Sequence, residues 1–509
     1  MRIQSILLLA VLFLSTTVFA QNKITANTEK AETVINRDIY GHFAEHLGRC
    51  IYDGFYVGEG SSIENVRGFR VDVINALREM QIPLLRWPGG CFADTYNWKD
   101  GIGPKSERPS IVNVHWGGVT EDNSFGTHEF MDFCELIGAD AYINLNVGSG
   151  SVREAKEWVE YMTSSNKSPM TEWRKQNGRE EPWKVKYWGI GNENWGCGGN
   201  MTPEYYADLY RNYATYCHGA DYKIAGGANV ADYNWTEVLM KKLQHYKHIV
   251  DGLSLHYYVH PGGWGNKGSA RDFDEAEYHL TMRKTFYMEE LINNHSAIMD
   301  KYDPKKQIDM IVDEWGAWYD CEPGTNPGFL YQQNTLRDAI LAGIHLNIFN
   351  NHADRIKMAN IAQMINVIQS VILTREDKML LTPTYYIFKM YSVHQDATLV
   401  PLDVQTEMYK VGDEEVPALN ASASIKDGKL SMTVCNLNPN KDEEIEYTFD
   451  NQKYKNATGL IVTGEKLQSL NDFDQTEQVS LKEFKVAKPK NGTMKIKIPA
   501  KSVVLITLE

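Results

Sequence analysis

From about residue 36 to residue 365 the chain switches repeatedly between two hydrophobic periods. Short, nearly continuous apolar runs recur: DIYGHFAEH (38–46), PLLRWPGG (83–90), DAYINLNVG (140–148), VKYWGIGNE (185–193), KIAGGAN (223–229), GLSLHYYVH (252–260), IDMIVDEWG (308–316) and RIKMANIAQ (355–363). Such runs suit strands buried on both faces, as in a parallel sheet. Between them lie amphipathic stretches such as FRVDVINALREMQ and TPEYYADLYRNYATYCHG. The second opens on Thr202-Pro203-Glu204, a side-chain N-cap followed by proline in the first helical turn. Eight strands spaced by helices predict an α/β fold, a (β/α)8 TIM barrel over 37–394. A doubly wound open sheet is the alternative, but no glycine-rich dinucleotide fingerprint appears.

After about residue 395 the period changes to two. The runs SMTVCNLN, EIEYTFD, MKIKIPA and SVVLITLE, separated by Asn-, Asp-, Gly- and Lys-rich turns, predict a C-terminal antiparallel β-sandwich over 395–509. The segment NKITANTEK, within 21–36, is expected to add a strand to that sandwich. Met1–Ala20 differs from both: Arg2, an apolar run from Ile6 to Leu14, then Val18-Phe19-Ala20. That arrangement predicts a secretory signal peptide and an exported protein, periplasmic or extracellular, with no membrane span.

The formal net charge of -14 argues against a nucleic-acid partner, which needs clustered Lys and Arg. The seven cysteines are sparse, odd in number and without CxxC spacing, so neither a disulfide scaffold nor a zinc site is expected. Isolated buried thiols are the favoured reading, with room for one bridge in an oxidising compartment.

In a barrel the chemistry collects at the C-terminal ends of the strands. The predicted ends carry Glu45-His46, Arg86 to Cys91, Asn144 and Asn146, Asn192-Glu193-Asn194, His256 to Tyr258, Asp313 to Gly316, and Asn360 with Gln363. The fourth and seventh strands thus each deliver a glutamate, Glu193 and Glu314, to one mouth. Two carboxylates facing one cavity are the requirement of glycoside hydrolysis, one protonating the leaving oxygen while the other attacks or activates water. Arg86 reads either as a carboxylate clamp or as a core ion-pair partner. The loop HPGGWGNKG, His260 to Gly268, reads either as a mobile surface loop or as a lid.

The motifs IYGHFAEHLGR, LRWPGGCFADTYNW, YWGIGNENWG, LSLHYY, VDEWGAWY and MANIAQMINVI resemble those of glycoside hydrolase family 51, the α-L-arabinofuranosidases. The resemblance spans nearly all of the chain after residue 20. It implies Glu193 as general acid/base and Glu314 as nucleophile of a retaining double displacement. It further implies substrate contacts from Glu45 and Asn192, support of the nucleophile by Arg86 and Tyr258, and a pocket shaped by His256, Trp318 and Gln363. Many members carry asparagine where this chain has Cys91. Either that contact is lost or Cys91 packs beneath the sugar. The resemblance implies no metal or organic cofactor, arabinose-containing plant polysaccharides or oligosaccharides as substrates, and by analogy a homo-oligomer. The rival readings are an endo-glucanase or xylanase of the same barrel clan and a non-catalytic carbohydrate-binding protein.

Overall fold

The computed structural model describes residues 22–449 and 454–509; the predicted signal segment lies outside the described residues. Eight parallel strands close in chain order into a barrel: β1 (Gly41–Phe43), β2 (Leu84–Trp87), β3 (Asp140–Leu145), β4 (Tyr187–Ile190), β5 (Lys223–Asn229), β6 (Gly252–Val259), β7 (Asp309–Ala317) and β8 (Ile356–Ile361). Each overlaps one of the apolar runs. Leu84, Tyr142, Tyr187, Ile224, Ile311 and Met358 fill the lower barrel interior and form a packed floor beneath the strand ends.

The helix Leu336–Asn351 is buried along all but its last residue. Apolar residues fall on every side of it because it is covered on both sides. It packs on β7 and β8 and also against a six-stranded sheet of the C-terminal sandwich. Its asparagines pair across that boundary: Asn350 Nδ2 donates to Ser422 Oγ at 3.1 Å and Asn347 Nδ2 to Asn420 Oδ1 at 2.9 Å. The strand Ser502–Leu508 has the two-residue period of a sheet between two cores. Val503 and Leu505 join the barrel core, while Val504 and Ile506 join the core between the sandwich sheets.

The second, four-stranded sheet contains Asn22–Ala26, inserted between Leu402–Gln405 and Glu443–Phe449. It pairs antiparallel with the first and parallel with the second, so the sandwich is not antiparallel throughout. Among the described residues no helix is long and apolar enough to cross a membrane.

Candidate active site

At the C-terminal ends of the strands lies a small pocket lined by Glu45, Gly90, Cys91, Asn192, Glu193, Tyr258, Glu314, Trp318 and Gln363. Leu47, Trp116, Leu330 and Ile368 complete its wall.

Glu314 reaches this pocket through an irregularity in β7. Between Ser254 and His256 of β6 the ladder advances two residues, while β7 advances three, from Ile311 to Glu314. The extra residue is a bulge, and it turns Asp313 and Glu314 to the same side although they are consecutive. Glu314 Oε1 accepts from Arg86 Nη1 at 2.8 Å, and Oε2 accepts from the Tyr258 hydroxyl at 2.7 Å. Two such donors hold the carboxylate in place. The turn after β2 is glycine for steric reasons. A Cβ on Gly89 would lie 2.6 Å from Glu45 Cγ, and one on Gly90 would lie 2.8 Å from Glu314 Oε1.

Arg86 is buried, with its guanidinium 4.6 Å from the centre of the Phe43 ring. Besides Glu314 it donates to Asn192 Oδ1 at 2.6 Å and to the Asp313 carbonyl at 3.1 Å. It is therefore both a core residue and the clamp on Glu314. The planar fork serves three acceptors at once, which an ammonium cannot reproduce. Arg86→Lys is expected to lower kcat by roughly 10- to 100-fold, the equivalent of about one charge-assisted hydrogen bond. Steady-state kinetics with a thermal melt checks this; unchanged kcat with a lowered melting point would reduce Arg86 to a core ion pair.

Glu193 sits in a left-handed turn at φ 44°, directly beyond β4. Its carbonyl accepts from Gly196 N at 2.7 Å and Gly198 N at 3.2 Å, which fixes the turn. His256 bridges two carboxyl groups: Nδ1 lies 2.8 Å from Glu193 Oε1, and Nε2 lies 3.2 Å from Asp313 Oδ1. Burial opposes charge on this ring, but Glu314, Asp313 and Glu193 together outweigh it and raise its pKa to about 10. At neutral pH the imidazolium donates from both nitrogens, to Glu193 and to Asp313. Asp313 works against its own burial: Arg86 and His256 hold it well below the usual carboxylate range. Glu193 is shifted upward, first by burial and then by the Glu314 charge, with His256 opposing. The two catalytic candidates thus have contrasting surroundings, one favouring a proton and one surrounded by donors.

Cys91 is not an isolated thiol. It forms a disulfide with Cys197, with Cα atoms 5.4 Å apart, joining the loops that follow β2 and β4. The remaining cysteines are free. Cys197 Sγ lies 3.6 Å from Glu193 Oε2. A disulfide sulfur carries no proton and can only accept, weakly, from the carboxyl O–H.

Glu45 accepts from Phe92 N, Trp116 Nε1 and Gln363 Nε2 at 2.9–3.0 Å, and burial with the nearby Glu314 charge raises its pKa to about 7. Asn192 Nδ2 is buried without a protein partner, next to the pocket. His256 and Arg86 lie behind the carboxylates and are not part of the pocket lining. Several strand-end amides do structural work instead. Asn144, Asn146 and Asn360 donate to the carbonyls of Gly89, Tyr96 and His42.

Sequence reasoning assigned no role to Asp313, Asp94 or Trp116. Asp94 accepts from Val147 N, Gly148 N and Asn192 N, and so ties the ends of β3 and β4 together. Asp313 had a signal, since it adjoins Glu314, and Asp94 stands inside the motif LRWPGGCFADTYNW, in the 3-10 helix Cys91–Asp94; Trp116 sits in a loop with none.

Two family models match: the α-L-arabinofuranosidase 1 domain over residues 76–272 and the α-L-arabinofuranosidase C-terminal domain over 313–502. The chain is 52% identical to the intracellular exo-α-L-arabinofuranosidase of Bacteroides ovatus, covering 96% of this chain and 95% of the relative. The crystal structure of the family 51 arabinofuranosidase from Xanthomonas axonopodis pv. citri superposes with a TM-score of 0.94 at 47% identity, over 96% of this chain and 100% of that one. The chain belongs to glycoside hydrolase family 51, the α-L-arabinofuranosidases. A second structural likeness is the Thermotoga maritima α-L-arabinofuranosidase in its arabinose complex, with TM-score 0.82 and 30% identity over 96% of this chain and 99% of that one. The family assignment also corrects one expectation. The Bacteroides ovatus relative, aligned over nearly the whole of both chains, is an intracellular enzyme, and this overturns export as read from Met1–Ala20.

Proposed function

We propose that this chain is a retaining, exo-acting α-L-arabinofuranosidase that releases terminal arabinofuranosyl units from arabinan, arabinoxylan or their oligosaccharides. The observation that carries the reading is the spacing of its two glutamates. A carboxylate oxygen of Glu193, a ring nitrogen of His256 and a carboxylate oxygen of Glu314 all lie within 4.8 Å of one another. Retaining glycosidases hold the pair about 5–5.5 Å apart, whereas inverting ones need about 6.5–9.5 Å to admit a water. The small walled pocket favours attack on a chain end over the endo-glucanase and xylanase readings, which require an open groove. The paired carboxylates, with their contrasting surroundings, favour turnover over passive sugar binding.

In the first step Glu314 attacks the anomeric carbon while Glu193 passes its proton to the glycosidic oxygen, and the leaving alcohol departs. The sugar is then esterified to Glu314, whose charge is gone. That removes the electrostatic push on Glu193, whose pKa falls, so it accepts a proton from the incoming water. Water attacks the same carbon and arabinose is released with Glu314 restored. The free N–H of Asn192 is available to the sugar 2-hydroxyl, and Glu45, held by Gln363 and Trp116, accepts from other hydroxyls. Trp318 closes the side of the pocket.

Hydrolysis of 4-nitrophenyl α-L-arabinofuranoside, compared with the glucoside and xyloside, tests the substrate assignment; a preference for either of the latter would overturn it. The pH profile is a further check. Glu193 must be protonated to act, so kcat/KM is present below its pKa and lost above it. With that pKa raised, the alkaline limb should lie above the ordinary carboxylate range. His256→Asn removes the positive neighbour that lowers the Glu193 pKa, so the limb should move to still higher pH. A limb that moves down would contradict this electrostatic account.

A further inference from the structure

We propose that Trp264 is a platform for the sugar ring carried by the leaving oxygen, a binding site just outside the arabinose pocket; the proposal rests on the arabinofuranosidase reading above. A line of aromatic rings runs outward from the nucleophile. Tyr258, which donates to Glu314, meets Trp318 edge-to-face with ring centres 5.1 Å apart. Trp318 in turn meets Trp264 at 5.4 Å and 89°. Exposure rises along this line: Tyr258 and Trp318 are partly buried, while Trp264 is 60% exposed. Lys267 Nζ stands 5.5 Å from the Trp264 ring centre and 5.2 Å from that of Trp318, joining the two.

The loop that carries Trp264 has a defined backbone path. It is a tight hairpin: Gly263 N donates to Asn266 O at 3.0 Å and Asn266 N to Gly263 O at 3.1 Å, with Trp264 and Gly265 at the tip. Lys284 Nζ donates to the carbonyls of His260, Pro261 and Gly262 at 2.9–3.0 Å and pins one limb. Asp320 accepts from Lys267 N and Gly268 N, both at 3.1 Å, and pins the other. A large indole carried on a hairpin whose backbone is pinned on both limbs, and still turned to water, is a surface built for contact. The occupant follows from position. Whatever covers Trp264 lies at the outer end of a line that starts at the nucleophile, beside the pocket of a terminal sugar, so it is the next ring of the same glycan. The C–H face of that ring is the apolar surface an indole matches.

The test compares two leaving groups. Trp264→Ala should lower kcat/KM for an arabino-oligosaccharide about tenfold more than for methyl α-L-arabinofuranoside, whose methyl group cannot reach the platform. Trp264→Phe should recover most of the loss, as an aromatic face is retained. Equal losses on both substrates, or none on the oligosaccharide, would sink the platform while leaving the function intact. Failure of the unmodified enzyme to cleave either substrate would sink the arabinofuranosidase reading and the platform with it.

Discussion

Glu314→Ala is expected to lose hydrolysis by a factor on the order of 10^4 or more, the scale of removing a covalent nucleophile. The fold should persist, because Glu314 is a pocket residue whose partners Arg86 and Tyr258 keep other contacts: Arg86 retains Asn192 and Asp313, and Tyr258 remains packed on Trp318. The deletion opens space beside the anomeric carbon. A small anion such as azide, drawn in by the Arg86 guanidinium that has lost Glu314, can attack directly while Glu193 still donates its proton. One displacement inverts configuration, so the product should be the β-L-arabinofuranosyl azide. Mass spectrometry and proton NMR of the product check the outcome. Hydrolysis near the wild-type rate would remove Glu314 from the nucleophile's role.

Glu193→Ala should fail differently. General acid catalysis is worth about 10^2–10^4-fold, and that loss should appear in full only where the leaving group needs a proton. Natural oligosaccharides should suffer most. A dinitrophenyl arabinofuranoside, whose leaving group departs as an anion, should still esterify Glu314. Release of that ester then becomes slow, because no base activates water, and the intermediate should accumulate. Azide, which needs no base, should relieve the block and give the α anomer. The measurement is the ratio of first-step rates on the two substrates, wild type against variant. A uniform loss on both would mean that Glu193 does not supply the proton. The two variants together assign the roles, since the same azide yields opposite anomers from each.

Much of this site was legible because strand ends are easy to read. VKYWGIGNE and IDMIVDEWG each finish an apolar run on a carboxylate, and barrel geometry brings such ends together. What was not legible depended on contacts between segments distant in sequence. Nothing in DEW says that a bulge in β7 turns Asp313 and Glu314 to the same side. His256 alternates with Ser254 on β6, but only the fold shows that it stands behind Glu193, bridging it to Asp313. Cys91 and Cys197, 106 residues apart, carried no spacing signal; they form the one bridge that composition left room for, and the other five cysteines are free. Trp116 and Trp264 sit in loops whose sequences fit several conformations. The parallel pairing of Asn22–Ala26 with Glu443–Phe449 joins the two ends of the chain, beyond any local pattern.

The mechanism turns on a covalent arabinosyl ester at Glu314, and the configuration of a trapped product tests it most directly. In the presence of methanol the unmodified enzyme should transfer part of the sugar to the alcohol, and proton NMR of the first-formed methyl glycoside reads its anomer before any exchange. Two displacements predict methyl α-L-arabinofuranoside, the configuration of the substrate. The β anomer would mean a single displacement by an activated acceptor, which the close spacing of Glu193 and Glu314 leaves no room for, and would contradict the mechanism.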